Sequence, residues 1–138
     1  MGILSKKWNE EEMLSDLGQL LHPGETLLAG VYCTYQDYGF FFSSKRVIAG
    51  YIGLTDQNRL IGTRNGIIQH EIVDINLNRA VVYIKELLFG AVHIRVSDPS
   101  ARLERQRITF NRLRGGKTFP NHFENAATLL EKLQAFSR

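Results

Sequence analysis

The residues best suited to binding an anion are concentrated in a basic segment near the C-terminus, residues 102–117. Against the single acid Glu104 it holds five arginines and one lysine: Arg102, Arg105, Arg107, Arg112, Arg114 and Lys117. A guanidinium group donates two parallel hydrogen bonds to a phosphate or a carboxylate. Residues two apart on a strand point the same way, so Arg105 and Arg107 should share a face. The segment predicts a surface for an acidic protein patch, a phosphorylated ligand or an anionic membrane.

The same segment has a second interpretation. Its cations would form a solvated strand face and pair with the acids of the first predicted helix, residues 10–16. Clusters of one sign often stay solvated, and exposed ion pairs contribute little. The two interpretations differ in whether the basic surface is open to a ligand.

A second basic pair, Lys45-Arg46, follows two serines between two apolar runs. Two cations on a tight hairpin can hold a phosphate, which makes the pair a candidate anion site. A solvated turn, in which the arginine stem packs on an aromatic ring, is the interpretation that we favour.

Residues for catalysis or metal binding do not form a recognisable pattern. The four histidines lack the spacing of a zinc site, and Cys33 lies in an apolar strand where a cysteine is usually a small packed side chain. Residues 115–118, GGKT, resemble the end of a phosphate loop, but Asn111 stands where its first glycine is required. We therefore expect no catalytic residues, no metal and no cofactor. A single cysteine also suits a cytoplasmic location.

Aromatic residues are concentrated between positions 32 and 42. In a strand Phe41 points away from its two phenylalanine neighbours, so one face belongs to the core and the other needs cover. The cover would come from another subunit or from the N-terminal helix, which carries Trp8. We predict Trp8, Tyr38 and Phe41 as interface residues.

The elements that position these residues are two helices flanking about seven strands. Apolar spacing predicts helices at 8–21 and 121–136. Runs of β-branched and aromatic residues predict strands at 27–35, 38–42, 46–52, 66–77, 79–87, 91–97 and 102–110. Residues 36–37 are interpreted as a turn, and residues 55–65 as a long polar loop. In residues 91–97 apolar and polar side chains alternate, which is typical of a half-buried strand.

The bulk composition predicts an ordinary folded chain. The 138 residues are 43% apolar and 22% charged, which suits one folded domain, residues 22–138, preceded by an amphipathic helix, residues 1–21. The net charge of +3 is mild, so we expect no nucleic-acid partner.

Three short stretches and the closing helix carry a resemblance to a known family. They are His22-Pro23-Gly24-Glu25, the hairpin sequence at 40–48, and the strand sequence at 68–75. In these features the chain resembles the bacterial pleckstrin-homology (PH-like) domain family. The resemblance implies a mainly β fold, a seven-stranded antiparallel β-sandwich or partial barrel capped by a C-terminal helix, here with an added N-terminal helix. It also implies a non-catalytic binding or scaffolding module.

Two functional hypotheses follow. The first is a cytoplasmic, non-enzymatic module that acts through protein–protein contacts and self-associates into a homo-oligomer. The second is binding of an anionic lipid or a phosphorylated ligand through residues 102–117. The first hairpin lacks the basic residues that phosphoinositide-binding PH domains place there, so a headgroup site is not carried over from the family.

Overall fold

The computed structural model describes residues 6–38, 45–65, 70–98, 105–114 and 117–137. Two helices flank seven strands along the chain. In order, the elements are α1 (Glu10–Gly18), β1 (Leu27–Tyr38), β2 (Lys45–Thr55), β3 (Arg59–Asn65), β4 (His70–Asn76), β5 (Val81–Glu86), β6 (Ala91–Ser97), β7 (Arg105–Asn111) and α2 (His122–Gln134). A short turn, Leu88–Gly90, joins β5 to β6.

The described strands form one antiparallel sheet in the order β4-β3-β2-β1-β7-β6-β5. It consists of two meanders, β1 to β4 and β5 to β7. They are joined at a short seam, where Thr34 and Tyr35 of β1 pair with Thr109 and Ile108 of β7. At the far edge, Ser137 makes a parallel bridge with Val82 of β5.

The main core lies on the inner face of the sheet. Side chains from the first meander, such as Val31 and Ile75, share this core with Val82 and Ile94 of the second meander. Because strands from both ends of the order meet in one core, the sheet curls into a partial barrel. The buried face of α2, which includes Leu129, packs in the same core.

A smaller core lies on the outer face of β1, β2 and β3, under α1. Met13 and Leu17 of the helix pack with Tyr51, Ile61 and Phe119. Side chains alternate between the two faces along a strand. The residues next to Tyr51 and Ile61 point into the main core, so Tyr51 and Ile61 point away from it. The sheet is therefore covered by α1 outside and by α2 inside.

The start of α1 is set by two reciprocal hydrogen bonds. The Asn9 side chain accepts from the Glu12 backbone N–H at 2.7 Å, and the Glu12 carboxylate accepts from the Lys7 backbone N–H at 2.9 Å. The first bond satisfies a donor that the first helical turn leaves without a partner, and the second ties the helix to the segment before it.

The ring of Tyr35 passes close to two neighbouring strands. A Cβ at position 62 would lie 2.2 Å from the Tyr35 hydroxyl oxygen, and a Cβ at position 50 would lie 2.7 Å from its ring. Glycine at both positions leaves room for the ring. The hydroxyl group then donates to the Tyr51 carbonyl oxygen at 2.8 Å.

The predicted fold class is confirmed: seven antiparallel strands form a partial barrel capped by a C-terminal helix, with a helix at the N-terminus. Two local predictions are wrong. The predicted turn at 36–37 lies inside β1, where its residues pair with Val47 and Arg46 of β2. The predicted loop at 55–65 contains β3. Of the predicted strand at 38–42, only residue 38 is described, and it belongs to β1.

Polar composition explains the second error. Arg59 and Arg64 suggest a solvated loop, but both arginines have partners inside the structure. Arg59 bonds to Glu25 and Asp74, and Arg64 bonds to the Gln106 side chain at 3.0 Å. Only positions 56–58 form the turn.

Candidate functional site

The main candidate site is formed by the outward-facing side chains of β5, β6 and β7. In one cross-strand row Lys85, His93 and Thr109 stand opposite one another. In the next row Tyr83, Arg95 and Arg107 do so. The alternate positions carry isoleucines that point to the core side.

These two rows line a cavity of about 490 Å³, which we call the basic groove. Its polar lining consists of Gln36, Tyr83, Lys85, His93, Arg95, Arg107 and Thr109. Lys85, His93 and Arg95 are exposed, whereas Arg107 is half-buried. The volume is within the range of small-ligand sites.

Tyr83 gives one of these cations a preferred position. The Arg95 guanidinium carbon lies 5.0 Å from the centre of the Tyr83 ring, which is the geometry of a cation–π contact. The ring thus supports the guanidinium group while leaving its N–H donors in the groove.

The electrostatics of the groove are one-sided. Its described lining residues carry three cations and a histidine, and none of them is a carboxylate. Arg95 stands directly opposite Arg107, with side chains that start about 5 Å apart across the strands. An anion in the groove would be attracted by the charges of both arginines.

The predicted basic segment is divided between three places. Arg107 lines the groove. Arg105 pairs with Ser97 one row further along β7, and its side chain is outside the described part of the structure. Arg112, Arg114 and Lys117 are exposed beyond the end of β7. The Arg112 Nε lies 3.5 Å from a carboxylate oxygen of Glu86.

Three of the four acids of α1 have other partners. Glu12 and Asp16 both pair with Lys6, and the Glu10 carboxylate accepts from the Asn121 backbone N–H at 3.0 Å and from its side-chain amide at 2.8 Å. The observed contacts of α1 thus differ from the predicted pairing with residues 102–117.

The other predicted residues are only partly described. Lys45 and Arg46 pair through their backbones with Tyr38 and Asp37, and none of these side chains is described. Phe41 lies outside the described residues.

Trp8 is half-buried within its own chain, and its ring centre lies 5.4 Å from those of Tyr32 and Tyr51. The N-terminal segment therefore covers this aromatic face. The interface roles of Trp8, Tyr38 and Phe41 stay predictions.

Sequence reasoning missed Lys85, His93, Arg95 and Tyr83. The alternation of residues 91–97 already puts His93 and Arg95 on a polar face. The proximity of Lys85 and Arg107 depends on the register of two hairpins, which the local pattern does not contain.

A second cavity, of about 400 Å³, is lined by Cys33, Phe110, Arg114 and His122 among others. Burial raises the pKa of the Cys33 thiol far above its ordinary value, which disfavours the thiolate form that a nucleophile needs. Within the part of the chain that the structure describes, no group of three or more His, Cys, Asp and Glu side chains could hold a metal ion.

Comparisons with known proteins give little. No protein-family model and no curated protein matches the chain. One similar solved structure is the hSac2 domain from the human phosphoinositide phosphatase Sac2. The similarity covers 96% of this chain and 82% of that chain, at 14% identity and a TM-score of 0.45. So distant a similarity supports no functional argument. No helix among the described residues is long and apolar enough to cross a membrane.

Proposed function

We propose that the protein is a non-enzymatic PH-like module that binds an anionic, phosphate-bearing ligand in the basic groove. The observation that carries the proposal is the cross-strand pair of Arg95 and Arg107, with Lys85 and His93 in the adjacent row. The proposed location is the cytoplasm, in keeping with the free, buried thiol of Cys33.

The chemistry of the groove favours a phosphate over a neutral ligand. Two guanidinium groups on neighbouring strands can each donate paired hydrogen bonds to phosphate oxygens, and Lys85 adds a compact charge. A lipid headgroup and a free phosphate share this chemistry, so both are probes in the test.

The test compares two double variants with equal loss of charge. Lys85→Gln with Arg95→Gln changes the groove, and Arg79→Gln with Lys132→Gln changes two exposed cations elsewhere. Calorimetry with inorganic pyrophosphate measures discrete binding. Sedimentation with phosphatidylcholine vesicles, with and without phosphatidylserine, measures binding to a charged surface.

Each basic residue near an anionic surface is worth about 1 kcal/mol, so the groove variant should bind about thirtyfold more weakly. The control variant should stay within about threefold of the unmodified protein, because its cations do not line the groove. Binding should weaken as salt rises. Equal losses in both variants, or no binding of either probe by the unmodified protein at low salt, would overturn the proposal.

Self-association is the second candidate function. β4 ends the strand order, and its outward-facing Ile72 is 66% exposed. An edge strand with an exposed apolar side chain can pair with a second copy. Light scattering should then report a dimer or larger species that Ile72→Lys converts to monomer. A monomer at high concentration of the unmodified protein would exclude this candidate.

A further inference from the structure

A cluster of large apolar side chains lies exposed beside the basic groove. Leu88 is 80% exposed and Phe89 is 89% exposed, in the turn between β5 and β6. Leu87 and Leu113 are also exposed. A Cβ at position 90 would lie 2.7 Å from the Leu113 Cγ, so Leu113 lies against the turn. We call these residues, Leu87, Leu88, Phe89 and Leu113, the apolar tip.

The conformation of the turn does not explain why a phenylalanine stands at position 89. Its φ is 60°, the φ of Gly90 is 84°, and the Ala91 backbone N–H donates to the Leu88 carbonyl oxygen. Positive φ at both central positions is typical of a type I′ turn, which favours Asn-Gly. A phenylalanine is disfavoured in this conformation, and here it contributes almost nothing to the core. Its ring is therefore explained neither by the turn nor by packing.

The tip is held by hydrogen bonds between two chain segments. The Asn111 side-chain amide donates to the Phe89 carbonyl oxygen at 2.9 Å. Its oxygen accepts from the backbone N–H groups of Leu113 at 2.8 Å and of Arg114 at 2.9 Å. The Arg112 backbone N–H donates to the Gly90 carbonyl oxygen at 2.8 Å. The turn and the segment after β7 thus form one unit.

Three exposed cations are close to this unit in the sequence. Arg112 and Arg114 flank Leu113, and Lys85 is two residues before Leu87 on the outward face of β5. The nearby acid, Glu86, pairs with Arg112 at the surface, where such a pair is weak. An apolar point with cations next to it complements a bilayer with anionic headgroups, because rings and leucines enter the acyl boundary while cations stay among the phosphates.

We propose that the protein docks on an anionic lipid bilayer by inserting the apolar tip, with Lys85, Arg112 and Arg114 at the headgroup level. The inference deepens and rests on the proposed function, because it names a lipid headgroup as the source of the anion in the basic groove. Lys85 belongs to both surfaces, so docking of the tip brings the groove to the headgroups.

The test is Phe89→Asn, since asparagine adopts positive φ readily and the variant should fold at least as well. Phe123→Asn is the matched control, because Phe123 is an exposed phenylalanine on α2. Thermal melting checks folding. Sedimentation with phosphatidylserine-containing vesicles and calorimetry with pyrophosphate measure the two kinds of binding, and light scattering measures self-association.

Phe89→Asn should lose about tenfold or more in vesicle binding, while pyrophosphate binding stays unchanged and Phe123→Asn behaves as the unmodified protein. Vesicle binding by Phe89→Asn at the unmodified level would overturn insertion. If the unmodified protein bound pyrophosphate but not vesicles, docking on a bilayer would be refuted, whereas ligand binding in the basic groove would stand. Loss of self-association rather than of vesicle binding would make the tip a protein contact and refute the proposal.

Discussion

Replacing Glu25 with glutamine should destabilise the fold strongly, because Glu25 is a buried anion with three donors. Its side chain is only 1% exposed. It accepts hydrogen bonds from the His22 backbone N–H at 2.8 Å, from the Thr55 hydroxyl group at 2.6 Å and from the Arg59 guanidinium group. These bonds connect the start of β1 to β2 and β3.

The expected cost follows from the bonds that glutamine cannot keep. Its amide oxygen still accepts, but glutamine is neutral, so the bond to Arg59 no longer joins two charged groups. Such a bond is worth about 1.5–3 kcal/mol, and the Arg59 charge also loses its buried partner. We expect the free energy of unfolding in urea to fall by about 2–4 kcal/mol with an unchanged m value.

Asp74→Asn is the matched control for this prediction. Asp74 bonds to the same Arg59 guanidinium group at 2.9 Å, but its side chain is 50% exposed. We expect a loss below about 1 kcal/mol. If the two variants lost the same stability, the argument that burial makes Glu25 the dominant partner would be refuted.

The effect should also depend on pH. Burial alone would raise the pKa of Glu25, but the bonds from His22 and Thr55 and the charge of Arg59 together lower it below the ordinary 4.5. The folded state then binds this proton less readily than the unfolded state. The stabilisation is complete above pH 4.5 and is lost as pH falls through the lower folded pKa. The difference between the unmodified protein and Glu25→Gln should therefore shrink in acid.

Two further predictions concern the two cores. Leu17→Ala should lower the free energy of unfolding in urea by about 2–5 kcal/mol, because the Leu17 side chain of α1 is fully buried. Leu14→Ala, on the exposed side of the same helix, should lower it by less than about 1 kcal/mol. Similar losses in the two variants would mean that α1 is not docked as described. Cys33 should react with a thiol reagent only as the protein unfolds, because its thiol is buried and its pKa is raised; fast labelling in native buffer would contradict this.

Local sequence patterns correctly predicted those elements whose packing in the folded protein agrees with the pattern. The alternation in residues 91–97 gave the bounds of β6, Ala91–Ser97, and the apolar stripe of the closing helix gave the position of α2. The prediction of a turn at Gln36 and Asp37 was wrong because a polar pair can also lie inside a long strand. There, hydrogen bonding to β2 outweighs the local turn preference.

The candidate site was only partly predictable. The cluster of arginines pointed to Arg107, but the same cluster also contained Arg112 and Arg114, which lie beyond the groove. Lys85 and Arg95 join Arg107 only through strand pairing between β5, β6 and β7. Counting charges along the chain identifies residues that are close in sequence. The groove is instead formed by residues that are neighbours across strands.

The seam between β1 and β7 has a consequence for the order of folding. β1 can pair with β2 as soon as their hairpin closes, but its other side must wait for residues 108–109, near the end of the chain. Loop closure over such a separation is slow. Pulse-labelled hydrogen exchange during refolding should therefore protect amides between β1 and β2 before those between β1 and β7. Until then, the strand at the centre of the finished sheet is an open edge, and the nascent chain is most exposed to mispairing there.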